Sequence, residues 1–90
     1  LIGNHEENKR IINYPNPFSN STTIVLPNPS QFINIQVFDL LGRLVDVKKI
    51  KTANDSNKVN YNAPKLNMGI YKYRLIDDLD KMHTGTFIIK

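Results

Sequence analysis

Ninety residues, 40% of them apolar, make one small globular domain and leave too little chain for a second. The lack of cysteine excludes disulfides and thiolate zinc sites. The net charge of +4 is uneven, with residues 1–42 summing to −1 and residues 43–90 to +5, and it bears on solubility and encounter rather than on fold.

Residues 1–10 (LIGNHEENKR) have no periodicity and read as a tail or linker ahead of a domain at 11–90. From Ile11 onward, short apolar or alternating runs recur between Pro, Gly, Asn and Asp, the pattern of an all-β sandwich or barrel. Ile11–Tyr14 is extended and ends at Pro15-Asn16-Pro17, which suits a sheet edge because proline cannot donate to a ladder. Thr22–Leu26 follows and stops at Pro27-Asn28-Pro29. Phe32–Phe38 alternates most clearly, with Ile33, Ile35 and Val37 on one face. The next strand runs from about Leu44 to Ile50, with Val45 and Val47 expected toward the core and Asp46 and Lys48 toward water. A polar loop at 52–57 leads to a short strand marked by Val59 and Tyr61, and Lys65–Met68 is expected to form a single helical turn. Gly69–Ile76 carries Tyr71, Tyr73 and Leu75 on one face, and Met82–Ile89 carries Phe87 and Ile89. The expectation is a seven-stranded, immunoglobulin-like, mainly antiparallel β-sandwich.

The connections carry their own chemistry. Asp39 accepts a backbone bond two residues on, and Gly42 supplies the positive φ of a type I turn with a bulge, so Asp39-Leu40-Leu41-Gly42-Arg43 is a hairpin with Arg43 at the surface. Asp77, Asp78 and Asp80 lack the glycine and distal glutamate of a calcium loop and read as a charged hairpin turn. Lys48, Lys49, Lys51 and Lys58 either guard an edge strand or meet an anion such as phosphate or lipopolysaccharide.

Nothing in the chain points to an enzyme. It has no cysteine nucleophile and no G-x-S-x-G elbow, and its histidines, His5 and His83, have no recognisable partner. No Gly-rich phosphate loop implies a cofactor. The basic half reads as a solvated face rather than a nucleic-acid site. No apolar run is long enough for a membrane-spanning helix, and Leu1-Ile2-Gly3 is too short for a signal-peptide core. The chain therefore reads as a fragment whose targeting signal would stand at the start of a longer parent.

The motifs form an ordered set: Tyr14-Pro15-Asn16-Pro17-Phe18, Thr22-Thr23-Ile24, Ile35 to Arg43, Leu66-Asn67-Met68-Gly69-Ile70-Tyr71, and a closing Thr86-Phe87-Ile88-Ile89-Lys90. In order and spacing this resembles the type A C-terminal sorting domain of the type IX (Por) secretion system of Bacteroidetes, over about residues 11–90. The sequence departs from the pattern at Gly85, where a lysine is more usual.

The resemblance implies a secretion signal that passes through the periplasm and directs a cargo across the outer membrane to the cell surface. Its partners would be the outer-membrane translocon and a sortase that removes the domain near residues 1–10, with anionic lipopolysaccharide as a further contact. Gly69, Tyr71, Ile88, Ile89 and Lys90 would carry recognition or signal integrity. The terminal strand would be offered as an edge, open to strand addition by a partner or a second copy. The alternative is an immunoglobulin-like adhesion or carbohydrate-binding accessory domain, against which the missing tryptophan counts.

Overall fold

The computed structural model describes residues 9–53 and 56–90. The described residues form two sheets and no helix, so none is long and apolar enough to cross a membrane. The strands are β1 (Lys9–Arg10), β2 (Ile12–Tyr14), β3 (Ser21–Val25), β4 (Phe32–Phe38), β5 (Leu44–Lys51), β6 (Lys58–Asn62), β7 (Gly69–Asp77) and β8 (Met82–Ile89). One sheet has the order β1-β8-β7-β4-β5 and the other β2-β3-β6. β2 to β8 are the seven expected strands, and they pair antiparallel. The eighth, β1, is new: Lys9 and Arg10, read as tail, pair parallel with His83 and Thr84.

Alternation builds the core. Ile33, Ile35 and Val37 of β4, Val59 and Tyr61 of β6, Tyr71, Tyr73 and Leu75 of β7, and Phe87 and Ile89 of β8 are buried between the sheets. The aromatic centre is layered. Phe87 stacks on Tyr73 at 4.1 Å and on Tyr61 at 4.7 Å, and Phe18 meets its edge at 5.4 Å. Beside this stack runs a buried polar chain. The Tyr73 hydroxyl donates to Asn13 Oδ1 (3.3 Å), Asn13 Nδ2 to Thr22 Oγ1 (3.1 Å), and Thr22 Oγ1 to the Pro15 carbonyl (2.8 Å). Burial holds the Tyr73 phenol well above its ordinary pKa.

β5 departs from expectation. The register shifts between Val37 and Phe38, so Val45 is passed over, and Asp46, Lys48 and Ile50 lie opposite the core residues Val37, Ile35 and Ile33. Asp46 and Lys48 therefore turn inward, and Val47 is 59% exposed. The inward charges are satisfied at the overhang above β6: Tyr61 donates to Asp46 Oδ2 at 2.6 Å, and Lys48 Nζ donates to the Asn62 carbonyl and lies 4.9 Å from the Tyr61 ring centroid. Val45 still packs partly against the core. Charges aimed inward from an edge strand oppose the docking of another strand. Lys65–Met68 forms no helical turn: Leu66 packs against the core, and the Asn67 carbonyl accepts the Tyr71 hydroxyl at 2.6 Å.

Candidate functional site

The terminal strand has a covered edge, contrary to the expectation that it is offered for pairing. Pro15 and Pro17 have no N–H, so the segment around Asn16 cannot pair as an ordinary strand. The Asn16 carboxamide substitutes for a peptide group: Nδ2 donates to the Thr86 carbonyl (3.1 Å), and Oδ1 accepts from Ile88 N–H (2.8 Å). Phe18 continues the cover by backbone, donating to the Ile88 carbonyl (2.9 Å) and accepting from Lys90 N–H (3.0 Å). Toward the start of β8, Ile11 N–H donates to the Thr84 carbonyl and β1 pairs alongside. Asn16→Ala is expected to cost about 1 kcal/mol and to speed amide exchange at Ile88, measured by hydrogen-exchange NMR. Sequence reading missed Asn16 and Phe18 as partners of β8. Their signal was the Pro-Asn-Pro alternation itself, in which two residues lack a backbone donor and the amide side chain between them can take the place of a peptide group.

The expected recognition residues come together at one end of the β7–β8 ladder, where Gly69 pairs with Ile89, Ile70 with Ile88 and Tyr71 with Phe87. They divide by accessibility. Gly69 opens β7 at a φ of 153°, and Tyr71 and Ile89 are buried. Ile88 is 36% exposed, and Lys90 lies at the surface. The same end of the sheet carries the β4–β5 hairpin, because Phe38 lies opposite Lys72. There Asp39 Oδ1 accepts from Leu41 N–H (2.9 Å) and Arg43 N–H (3.0 Å), Oδ2 accepts from Arg43 Nε (2.8 Å), and Gly42 has a φ of 84°. Arg43 thus closes the turn as well as lying at the surface. Its backbone bond is the largest cause of the lowered Asp39 pKa. Leu40, Leu41, Met68 and Ile70 are also exposed at this end.

The β7–β8 turn repeats that design at the opposite end. Asp77 Oδ1 accepts from Leu79 and Lys81 N–H, each at 2.9 Å, and Asp80 takes the left-handed position at a φ of 62°. The acidic cluster is therefore a hairpin turn, and no metal-ligand grouping occurs among the described residues. His83 does have a partner: Nε2 lies 3.0 Å from Asp77 Oδ2 in a buried setting. Burial raises the Asp77 pKa, but the bonds from His83, Lys81 and Leu79 outweigh it and leave it below the ordinary 3.8. The stability this carboxylate contributes is complete above 3.8 and is lost as pH falls through the lower folded value. Asp77→Asn should flatten the fall in unfolding midpoint between about pH 5 and about pH 2 relative to the parent, read by urea titration at each pH. His5 lies outside the described residues.

Lys48, Lys49 and Lys51 lie on β5 and Lys58 on β6, both edge strands. Lys49 Nζ lies 4.5 Å from the Phe32 ring centroid. With Lys48 turned inward, the four lysines form no single patch.

The sandwich defines the structural class. It is similar to CopC from Methylosinus trichosporium OB3b, at 17% identity and a TM-score of 0.55, over 91% of this chain and 80% of that one. It is also similar to a superoxide reductase (neelaredoxin) from Ignicoccus hospitalis, at 10% identity and a TM-score of 0.52, over 93% and 81%. At these identities the likeness is one of fold alone. No curated protein matches the chain in sequence. The family model of the secretion system C-terminal sorting domain matches residues 13–90, from the buried asparagine of β2 to Lys90, and the chain belongs to that family. It is a C-terminal sorting signal of type IX secretion, a kind of domain that is not normally catalytic, that engages the secretion machinery and that marks proteins for the cell surface or for release.

Proposed function

We propose that the folded sandwich is read by the outer-membrane translocon at the end of the large sheet that carries Ile88 and Lys90. The observation that supports this is the clustering there of exposed apolar side chains, Leu40, Leu41, Met68, Ile70 and Ile88, on a frame made by the β4–β5 turn and the adjoining end of the β7–β8 ladder. Gly69, Tyr71 and Ile89 act by holding that frame, and Ile88 and Lys90 by contact. Strand addition to β8 is not the mode, because Asn16 and Phe18 occupy its edge. After transit of the periplasm, a cell-surface sortase cuts on the N-terminal side of Lys9, since Lys9 and Arg10 are tied into the sheet.

The test separates contact from folding. Deleting Ile88–Lys90 would remove the buried Ile89 and confound the two. In Ile88→Lys and Leu41→Lys, each at an exposed position, reporter export should fall at least about tenfold while the unfolding midpoint stays within about 0.5 kcal/mol of the parent. Unchanged export by both variants would remove this end from the recognition surface.

A further inference from the structure

The outer face of the five-stranded sheet carries a charge pattern that the core does not require. The carboxylates of β4, β5, β7 and β8 are Asp46 and Asp77, and both are engaged elsewhere, by Tyr61 and His83. What alternation leaves on the outer face is cationic: Lys72 and Arg74 of β7, with Lys49 and Lys51 of β5. The register sets Thr86 beside Lys72 and Thr84 beside Arg74, so a hydroxyl accompanies each central cation. Arg74 is held in place. Its Nε and Nη2 donate to Gln36 Oε1 at 3.2 and 2.9 Å, and its Cζ lies 5.4 Å from the Phe38 ring centroid. Among the described residues neither Lys72 nor Arg74 takes part in a salt bridge.

The strand entry at Ile11–Asn13 and Asn16 walls this floor into a groove of about 930 Å³ whose lining, among the described residues, contains no carboxylate. Its rim is apolar: Ile12 is 67% exposed, and the exposed Ile70–Ile88 pair adjoins the Lys72–Thr86 pair by register. Unpaired cations in a walled groove call for a carboxylate-bearing partner. The wall disfavours a flat lipid surface, and the apolar rim rewards side chains that a polysaccharide lacks. An extended peptide supplies both chemistries, because alternate residues face opposite sides. Alternate residues of such a segment recur at about 6.6 Å, the same two-residue spacing that separates Lys72 from Arg74 along β7.

We propose that this groove is a docking site for an extended acidic–apolar polypeptide segment, its carboxylates on Lys72 and Arg74 and its apolar residues against Ile12, Ile70 and Ile88. This deepens the sorting reading by giving the chemistry of one segment of the machinery, next to the apolar end already described.

The probe is a fluorescein-labelled peptide of about eight residues with alternating Glu and Val, titrated into the 90-residue chain by anisotropy. Saturable binding that weakens with added salt is expected, with NMR shifts at Gln36, Thr84 and Thr86. Lys72→Glu/Arg74→Glu should weaken it at least about tenfold, and Lys58→Glu/Lys65→Glu, off this face, should leave it within about twofold. Absence of saturable binding, indifference to the Lys72/Arg74 reversal, or shifts confined to the other sheet would overturn the proposal. So would tighter binding to phosphatidylglycerol vesicles or to heparin than to the peptide. A domain that exports a reporter yet ignores the peptide overturns the groove alone. A domain that binds the peptide yet exports nothing overturns the sorting mechanism and leaves the groove standing.

Discussion

Phe87→Ala is expected to destabilise the domain by about 3–5 kcal/mol, a large share of the total stability of a chain this small. Phe87 is fully buried, stacked between Tyr61 and Tyr73 and met edge-on by Phe18. It therefore joins both sheets to the segment that covers β8. Truncation removes all three ring contacts and leaves a cavity that rigid strands cannot close. Urea unfolding followed by tyrosine fluorescence measures the loss. If Phe87→Ala does not fold, Phe87→Leu keeps most of the volume and should cost about 1–2 kcal/mol. A Phe87→Ala midpoint within about 1 kcal/mol of the parent would contradict the layered core.

Gly85→Ala comes second. A Cβ at this position would stand 2.3 Å from Tyr73 Cζ and 2.4 Å from its hydroxyl oxygen, far inside contact distance. The ring cannot easily retreat, because it stacks on Phe87 and its hydroxyl is bonded to Asn13. The expected cost is about 1–3 kcal/mol by overpacking, and more for Gly85→Val. In a double-mutant cycle, adding Tyr73→Leu should relieve the clash, so that the pair costs less than the sum of its parts. Independent, additive costs would mean that the ring does not lie over position 85.

This close approach explains the departure noted in the sequence. A lysine at position 85 would drive its stem into the Tyr73 ring, whereas glycine lets the aromatic side chain cover the backbone from the neighbouring strand. The pairing of a strand glycine with a cross-strand tyrosine was not legible in advance, because it depends on register.

Alternation made most of the fold legible. β4 and β7 follow period two without interruption, and their inward residues are the buried ones. The Asp39 turn was legible because its hydrogen bonds are local. β5 was misread because one bulge residue inverts the side of every residue after it. The covered edge of β8 was also out of reach: Asn16 and Ile88 are far apart in sequence and meet only when the sandwich closes. The Asp77–His83 pair is local but was still missed, because it depends on the exact register of the hairpin that joins β7 to β8. Of the candidate site, the ladder end from Gly69 to Ile89 was legible from motif order, whereas the basic outer face required knowing which way Asp46 points.

In the proposed reading the sorting signal is a folded surface. Ile88 and Lys90 are held by backbone and side-chain bonds to Asn16 and Phe18, so the segment that ends the chain is presented as part of the sandwich. The most direct measurement is to fuse residues 1–90 to the C-terminus of a periplasmic reporter in a host that has the type IX translocon, and in the same host without it. The expected result is a reporter at the surface or in the medium only when the translocon is present and the sandwich is folded, with Phe87→Ala abolishing export in proportion to unfolding. A reporter that stays in the periplasm in both hosts, or that leaves equally well in both, would contradict the assignment.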